Sequence, residues 1–282
     1  MKLIADSGST KTDWALIQYN ENTFQPDITC CKTQGINPVH LNSDEIRNIL
    51  QNELIPQIDF RLIDEIYFYG SGCRNDIIPK VESIFKEVFP SANTIGIYSD
   101  LLGAARATCG NDKGIVCILG TGSNSCLYDG EKIIQNIPPL GYILGDEGSG
   151  TALGKKLINA IFKGVLPDTL KSEFCNHYHT NLDNIIENVY RKPLANRYIA
   201  TFADFAIAHK HIKEINNLIR ECFIDFFAKN IQPYNHTDLP IFAVGSIACL
   251  AQDIFENIAS EFGYSVKEFL RSPIEGLIQY HK

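Results

Sequence analysis

The stretch that decides the fold is MKLIADSGSTKTDWALI, residues Met1 to Ile17. A short apolar run ends in Asp6, small and polar residues follow, and a second apolar run begins at Trp14. This pattern predicts a strand, a tight polar turn and a second strand. A turn rich in Gly, Ser and Thr lets backbone N–H groups point into one concavity, which suits phosphate oxygens, and Asp6 could then hold a hydrated cation. By itself the stretch favours an ordinary hairpin with a solvated turn, because short Gly/Ser motifs occur in many unrelated proteins.

The same design occurs a second time at GIVCILGTGSNSCLYDG, residues Gly114 to Gly130. An apolar strand again leads into a turn of small residues, and a second strand leaves it. Two copies of one unit, more than a hundred residues apart, predict two related half-structures that face one ligand. Neither turn is a P-loop, because a P-loop ends in Gly-Lys-Ser/Thr and opens a helix.

Composition limits the possible classes of protein. The chain has 282 residues, enough for one large domain or two of about 120 to 150 residues each. A net charge of -8 without a Lys/Arg-rich run disfavours a nucleic-acid binder. No apolar run reaches the roughly 18 residues of a membrane span and no signal-peptide pattern is present, so we expect a cytoplasmic protein without a membrane partner. The nine scattered cysteines include no C-x-x-C pair, which fits that compartment and disfavours a zinc site.

The elements predicted in the first half resemble a ribonuclease H-like half-domain, because they begin in the order βββαβα. After the hairpin, the patterns predict a strand over 27–32, a helix from an N-cap at Ser43 to near Pro56, a strand over 63–69, a helix over 77–89 and a strand over 94–98. A further helix opens at Asp100. The pattern restarts at Gly114, so we expect an N-terminal domain over 1–110 and a C-terminal domain over 111–282.

Two polar residues of this half are candidate ligand contacts. Asn37 precedes Pro38 and is pushed towards an extended conformation, where its amide can project, although Asn also forms turns. Asp100 follows a predicted strand, and the strand ends of an open α/β sheet are where ligands bind. On the sequence alone, a role as the N-cap of its helix is slightly favoured.

The second half contains insertions of its own. A strand over 133–137 is followed by a rigid turn, Pro138 to Tyr142, and then by GDEGSG at 145–150, which opens a helix that runs to Phe162. The glycines permit close approach to a ligand or a neighbouring element, and Asp146 and Glu147 also suit a helix start. We expect a helical insertion over about 165–230, then a strand with a Gly-Ser elbow at 245–246. A last helix from Pro273 could pack back on the N-terminal domain.

These motifs resemble a known superfamily. DSGSTKTD, GTGSN and VGSIA are similar to the first phosphate, second phosphate and adenosine motifs of the actin-like ATPase and sugar kinase superfamily, and their order covers nearly the whole chain. Together with GDEGSG they resemble the N-acetylglucosamine kinase group of the BadF/BadG/BcrA/BcrD ATPase family. The resemblance implies an α/β protein of two ribonuclease H-like domains around a cleft, with ATP and Mg²⁺ as cofactors and a sugar as substrate.

The resemblance also implies a role for particular residues. Asp6 would position magnesium through water, and Asp100 would be the general base that takes the proton of the sugar 6-hydroxyl. Asn37, Asp100, Gly141 and Asp146 match sugar-binding positions. The phosphates would be lined by Ser9, Thr10, Lys11, Gly120, Thr121 and Gly122, and adenosine would border Gly245 and Ser246.

The chain departs from the family pattern at several positions. Ser7 and Ser9 stand where bacterial relatives commonly have glycine, and Leu140 precedes Gly141 where the eukaryotic kinases have tryptophan. These departures leave the identity of the amino sugar undecided. Two other hypotheses are an ATPase that activates a 2-hydroxyacyl-CoA dehydratase and a nucleotide-binding sensor without kinase activity. We expect a homodimer, the commonest assembly.

Overall fold

The computed structural model describes residues 1–8, 10–19 and 26–282. They form two compact units. The first unit comprises Met1–Asp112 together with Ser272–Lys282, and the second comprises Lys113–Arg271. Each unit contains one five-stranded sheet with helices packed against it. The prediction of an α/β fold with two related halves is confirmed.

The sheet of the first unit has the strand order β3-β2-β1-β4-β5. β1 pairs antiparallel with β2 and parallel with β4, and β5 pairs parallel with β4. The first two strands bury the apolar residues Leu3, Ile4 and Trp14, which confirms the predicted strand-turn-strand. The strands are β1 (Lys2–Ser7), β2 (Lys11–Tyr19), β3 (Pro26–Gln34), β4 (Glu65–Gly70) and β5 (Thr94–Ser99).

The helices of the first unit are α1 (Ser43–Asn48), α2 (Ile78–Val88), α3 (Asp100–Cys109) and the C-terminal helix of the chain, Ile274–Tyr280. A π-helical segment (Ile49–Leu54) continues α1, and two short 3-10 turns follow it. The predicted N-cap at Ser43 is wrong by one residue. Asn42 is the cap, because its side chain accepts the N–H groups of Asp44 and Glu45 while Glu45 bonds back to its backbone.

The C-terminal helix of the chain belongs to the first unit. Its Leu277 and Ile278 are buried with Ile4 of β1 and Tyr69 of β4. Gly276 permits this close packing, because a Cβ there would collide with the carbonyl oxygen of Ala107 in α3.

The sheet of the second unit has the order β10-β9-β6-β7-β8, which is the strand order of the first sheet read from the other edge. Its strands are β6 (Gly114–Leu119), β7 (Ser123–Tyr128), β8 (Ile133–Ile137), β9 (Ile241–Val244) and β10 (Val266–Leu270). β6 pairs antiparallel with β7 and parallel with β9, as β1 does with β2 and β4. The internal repeat of the sequence is therefore a repeat of topology.

The predicted helical insertion is confirmed between α5 and β9. The helices of the second unit are α4 (Gly141–Leu144), α5 (Gly150–Phe162), α6 (Asp168–His177), α7 (Leu182–Tyr190), α8 (Ala195–Thr201), α9 (Ala203–Ala208), α10 (Lys213–Phe226), α11 (Ser246–Leu250) and α12 (Gln252–Glu261). The C-terminal helix of the chain, Ile274–Tyr280, is α13 and belongs to the first unit. A π-helical segment, Phe227–Ile231, extends α10. Within the described residues, no helix has both the length and the apolar character needed to cross a membrane.

Candidate active site

The polar ends of three parallel strands meet at one edge of the first sheet. Asp6 lies opposite Tyr69 in the pairing of β1 with β4, and Gly70 lies opposite Ser99 in the pairing of β4 with β5. Asp6, the turn after β4 and the start of α3 at Asp100 therefore share this edge. The structure thus brings together Asp6 and Asp100, two candidate residues that lie 94 positions apart in the sequence.

The pKa of the Asp6 carboxyl is strongly raised by its surroundings. Burial, followed by the negative charges of Asp100 and Asp13, raises its pKa from 3.8 to about 7, although Lys11 partly opposes this shift. Within the described part of the chain, no Lys, Arg or His side chain lies within ion-pair distance of the Asp6 carboxylate. The site therefore concentrates negative charge that a bound cation would stabilise.

Asp100 is the first residue of α3, whose N-cap is Ser99 and not Asp100. One carboxylate oxygen, Oδ1, accepts the Leu101 N–H at 2.8 Å. Burial raises the pKa of Asp100, while the Leu101 N–H and the hydroxyl of Ser71 counteract this rise. The carboxylate is therefore oriented by its own helix and by the turn after β4, and it has a raised proton affinity, as a general base requires.

Asn37 lies next to the same turn. Its Oδ1 accepts the Val39 N–H at 3.0 Å, so it forms a turn, and its Nδ2 lies 3.5 Å from Ser71 Oγ. Gly72 has φ +81°, and a Cβ at this position would collide with Asn37 Oδ1. Asn37 is only 7% exposed. Both roles considered for Asn37 are thus compatible, because the turn places its amide beside Ser71.

The first candidate phosphate turn is closed by the Gly8 N–H, which donates to the Lys11 carbonyl at 3.0 Å. Thr10 and Lys11 are exposed, and Lys11 Nζ lies 2.6 Å from Asp13 Oδ2. Ser9 lies outside the described residues. Asp13, which sequence reasoning did not single out, is thus the partner that holds the Lys11 ammonium at this turn.

In the second unit, the Gly120–Gly122 turn rests on the start of α5. The Gly150 N–H donates to the Gly120 carbonyl at 2.8 Å, and the Thr151 hydroxyl donates to the Thr121 carbonyl at 2.6 Å. The GTGSN and GDEGSG motifs are therefore parts of one structure. Sequence reasoning missed Thr151, because its role depends on a hydrogen bond between residues 30 positions apart.

Asp146 lies against this turn. Its backbone is in the left-handed region at φ +55°, the residue is 9% exposed, and a Cβ on Gly122 would lie 3.0 Å from its Oδ2. Burial raises the pKa of Asp146, and the Ser123 N–H partly counteracts this. A buried carboxylate held in an unfavourable backbone conformation is typical of a functional position.

Gly245 brings the end of β9 onto the same turn. It has φ +114°, and a Cβ there would collide with the Leu119 carbonyl at the end of β6. Ser246 then begins α11. Gly120, Thr121, Gly122, Asp146, Gly245 and Ser246 consequently lie at one end of the second sheet.

Gly141 lies on a neighbouring loop and begins α4 with φ +74°. The Asp146 N–H donates to the Pro139 carbonyl at 2.9 Å, which ties this loop to Asp146. The predicted rigid turn at Pro138–Tyr142 therefore passes directly into a short helix. Gly141 itself is exposed.

A divalent cation fits the first unit if water supplies most of its ligands. Within residues 1–8, 10–19 and 26–282, no group of three His, Cys, Asp or Glu side chains could hold a metal ion. Magnesium commonly keeps several waters and binds through one or two carboxylates. Asp6, with its raised pKa and the nearby charge of Asp100, fits such a role.

No protein-family model matches the chain, and no curated protein matches it. Among solved structures, the "Putative N-acetylglucosamine Kinase" of Porphyromonas gingivalis is 42% identical and has a TM-score of 0.95, over 100% of this chain and 98% of that chain. The "Putative N-acetylglucosamine Kinase" of Chromobacterium violaceum is 17% identical, with a TM-score of 0.65 over 100% and 98% of the two chains. A ROK family glucokinase from Streptomyces griseus, in complex with glucose and AMPPNP, is 13% identical, with a TM-score of 0.61 over 99% and 97%. The last two show a common fold, and the first shows a common family.

Proposed function

Because the chain belongs to the N-acetylglucosamine kinase-like family of the actin-like ATPase and sugar kinase superfamily, it is an ATP-dependent phosphotransferase, and we propose that it phosphorylates the 6-hydroxyl of an amino sugar, N-acetylglucosamine. We include its placement in the BadF/BadG/BcrA/BcrD ATPase family in this proposal. The observation that carries it is the pair of carboxylates, Asp6 and Asp100, at one edge of the first sheet. A protein that only binds nucleotide has no need of a base at this edge.

Asp100 is the general base in this proposal. It takes the proton of the sugar 6-hydroxyl while the hydroxyl oxygen forms a bond to the γ-phosphorus and the bond to the leaving ADP breaks. Burial raises its pKa above that of an ordinary aspartate, which makes the carboxylate a stronger base. The Leu101 N–H and Ser71 keep the carboxylate oriented, so that it need not reorganise before it accepts the proton.

Asp6 would hold Mg²⁺ through water in this proposal, and the metal would supply positive charge to the phosphates. The negative charges of Asp100 and Asp13 raise the pKa of Asp6, which is the environment that a cation stabilises. Lys11 is held by Asp13 beside the same turn and would contribute a second positive charge. Thr10 and Ser9 complete the set that we assign to the phosphates in the first unit.

The second unit would bind phosphates with backbone groups. Hydrogen bonds from α5 fix the Gly120–Gly122 turn, so its remaining backbone groups are preorganised for phosphate oxygens. Gly245 lies where a side chain does not fit, and we assign Gly245 and Ser246 to the adenosine.

The sugar would be bound by Asn37, Gly141 and Asp146 in addition to Asp100. Asn37 is positioned next to Ser71, and the carboxylate of Asp146 lies against Gly122. A carboxylate and an amide are suited to accept and donate hydrogen bonds to sugar hydroxyls. One methyl-sized difference in a pocket is worth only about 1 to 3 kcal/mol, so the acyl group of the sugar has to be identified by assay.

The test is ADP release from Mg·ATP across a panel of hexoses and amino sugars. We expect N-acetylglucosamine to give the highest kcat/KM. The set should include the 6-deoxy analogue of the best sugar, which lacks the accepting hydroxyl and should give no turnover. ADP release that no sugar stimulates, or equal release with the 6-deoxy analogue, would contradict the proposal.

Two properties of the whole protein complete the proposal. No disulfide joins the nine cysteines, all of which lie in the described residues; this is consistent with a reducing compartment, and we propose the cytoplasm. We also propose a homodimer, because two-fold dimers are the commonest assembly of soluble homo-oligomers. Light scattering coupled to size-exclusion chromatography measures the mass of the particle, and a mass near 31.6 kDa would contradict the dimer.

A further inference from the structure

Ser7 is a fully buried residue with a side chain that joins separate segments of the first unit. It follows Asp6 at the end of β1 and is 0% exposed. Its Oγ lies 2.7 Å from Thr12 Oγ1 across the hairpin. The same oxygen accepts the Ile36 N–H at 2.9 Å and lies 3.2 Å from the Ile36 carbonyl oxygen, to which it can donate. The hydroxyl therefore fixes both backbone polar groups of the residue that precedes Asn37.

The backbone of Ser7 fixes a third segment. Its carbonyl accepts the Ser71 N–H at 2.8 Å. Ser71 lies beside Asn37, and the hydrogen bond of its side chain to Asp100 lowers the pKa of that carboxyl, opposing the effect of burial. One residue thus connects the phosphate hairpin to the Asn37 loop and to the turn that faces the base.

We propose that Ser7 is a positioning residue for the sugar, which acts by fixing Asn37 and Ser71 relative to the hairpin that carries Asp6. This inference rests on the proposed function, since it assigns Asn37 to the sugar. Ser7 does not contact substrate in this proposal. It acts through Asn37, because two of its hydroxyl contacts are made to Ile36, the residue adjacent to Asn37.

The physical basis is the cost of leaving the Ile36 backbone without its partner. Ile36 is 0% exposed, so water does not replace the Ser7 hydroxyl at the Ile36 N–H. Ser7→Ala would leave this group unpaired in place, or the loop would move until the group finds water. Because the first state is costly, the equilibrium shifts towards the second, and Asn37 spends less time in its position beside Ser71.

The kinetic test is a double-mutant cycle of Ser7→Ala and Asn37→Ala. We expect Ser7→Ala to raise the KM for the sugar about tenfold and to change the KM for ATP less than about twofold. Because Ser7 acts through Asn37, it should cause little further change in sugar KM in the Asn37→Ala background. Additive effects in the double variant would overturn the inference.

The matched control is Ser125→Ala. Ser125 is 1% exposed, and its hydroxyl is also hydrogen-bonded, to the Asn230 carbonyl and the Tyr234 hydroxyl. Its loss should lower stability without changing the sugar KM relative to the ATP KM. A shift of the sugar KM in this control equal to that in Ser7→Ala would mean that any buried serine produces the effect, and would overturn the specific role.

The second measurement does not depend on kinase activity. Hydrogen exchange of the backbone amides over 36–41 reports directly on the anchoring of the loop, because the amides of Ile36, Val39, His40 and Leu41 are hydrogen-bonded there. We expect exchange in this segment to be about tenfold faster in Ser7→Ala and unchanged in Ser125→Ala.

The possible results separate the two proposals. Unchanged exchange over 36–41 in Ser7→Ala overturns the inference whatever the enzyme phosphorylates. Faster exchange with an unchanged sugar KM also overturns it, because the loop is then anchored by Ser7 without consequence for the sugar. If the wild type phosphorylates no sugar, the proposed function fails, and the sugar role of Ser7 fails with it, even where exchange shows that Ser7 anchors the loop.

Discussion

In the metal-free protein, the unfolding free energy of Asp6→Asn relative to that of the wild type should rise as the pH rises. The carboxyl of Asp6 has an ordinary pKa of 3.8, and burial next to Asp100 and Asp13 raises it to about 7 in the folded protein. Between these two values the folded protein binds a proton that the unfolded chain releases. The wild type therefore loses stability as the pH rises from about 4 to about 7.

The magnitude follows from the shift. About three pKa units correspond to about 4 kcal/mol at most, because each unit is worth about 1.4 kcal/mol. At pH 5 the unfolded chain is already ionised at this position, so part of the loss is present there. From pH 5 to pH 8 the unfolding free energy of Asp6→Asn should thus rise relative to the wild type by about 3 kcal/mol.

Urea unfolding in the presence of a chelator, followed by tryptophan fluorescence, measures this difference. Trp14 is the sole tryptophan, is 1% exposed and packs against Phe68, so its emission reports on the first unit. Asp76→Asn is the control for loss of a carboxylate, since the side chain of Asp76 is 71% exposed in the same unit. A difference between Asp6→Asn and wild type that is equal at pH 5 and pH 8 would refute the electrostatic account of this site.

Three further substitutions test other parts of the molecule. Gly122→Ala should lower kcat/KM for the sugar about tenfold to a hundredfold, since its Cβ would lie 3.0 Å from Asp146 Oδ2 and displace that carboxylate. A lower kcat/KM in steady-state kinetics, together with near-normal urea unfolding, would support this, and an unchanged kcat/KM would contradict it. Gly245→Ala should destabilise the second unit by more than about 2 kcal/mol, because a side chain at φ +114° is strained and its Cβ would collide with the Leu119 carbonyl. Circular dichroism during urea unfolding measures this loss of stability, and a wild-type midpoint would contradict it. Tyr69→Phe should lower the unfolding free energy of the first unit by about 1 to 3 kcal/mol, because the Tyr69 hydroxyl forms hydrogen bonds with His281 of the C-terminal segment, at 2.8 Å, and with Arg106. Trp14 fluorescence reports this loss, and a change below about 0.5 kcal/mol would contradict it.

The fold could be predicted because its signals are local. The apolar runs on either side of the Gly/Ser/Thr turns indicate strands wherever they occur, and the repeat of that pattern at Gly114 indicates two halves of one topology. The displaced cap of α1 shows the limit of such signals. Asn42 and Ser43 are both good capping residues, and the reciprocal bond from Glu45 decides between them.

The candidate site could be predicted only in part, because much of it depends on contacts between distant residues. Asp6 and Asp100 were identified from their positions at strand ends, but their electrostatic coupling follows from the sheet register. The contact of Asp146 with Gly122 likewise requires the packing of α5 on the turn. The anchoring role of Ser7 has no local signature, since the sequence shows only a serine in a polar turn.

The measurement that tests the central claim most directly is ³¹P NMR of the product formed from Mg·ATP and N-acetylglucosamine by the wild type and by Asp100→Asn. We expect the wild type to yield a phosphomonoester with phosphorus coupled to the two protons on C6. In Asp100→Asn the rate of formation should fall at least a hundredfold, while ATP binding is retained. A product phosphorylated at another position, no sugar phosphate at all, or an Asp100→Asn variant as active as the wild type would contradict the account.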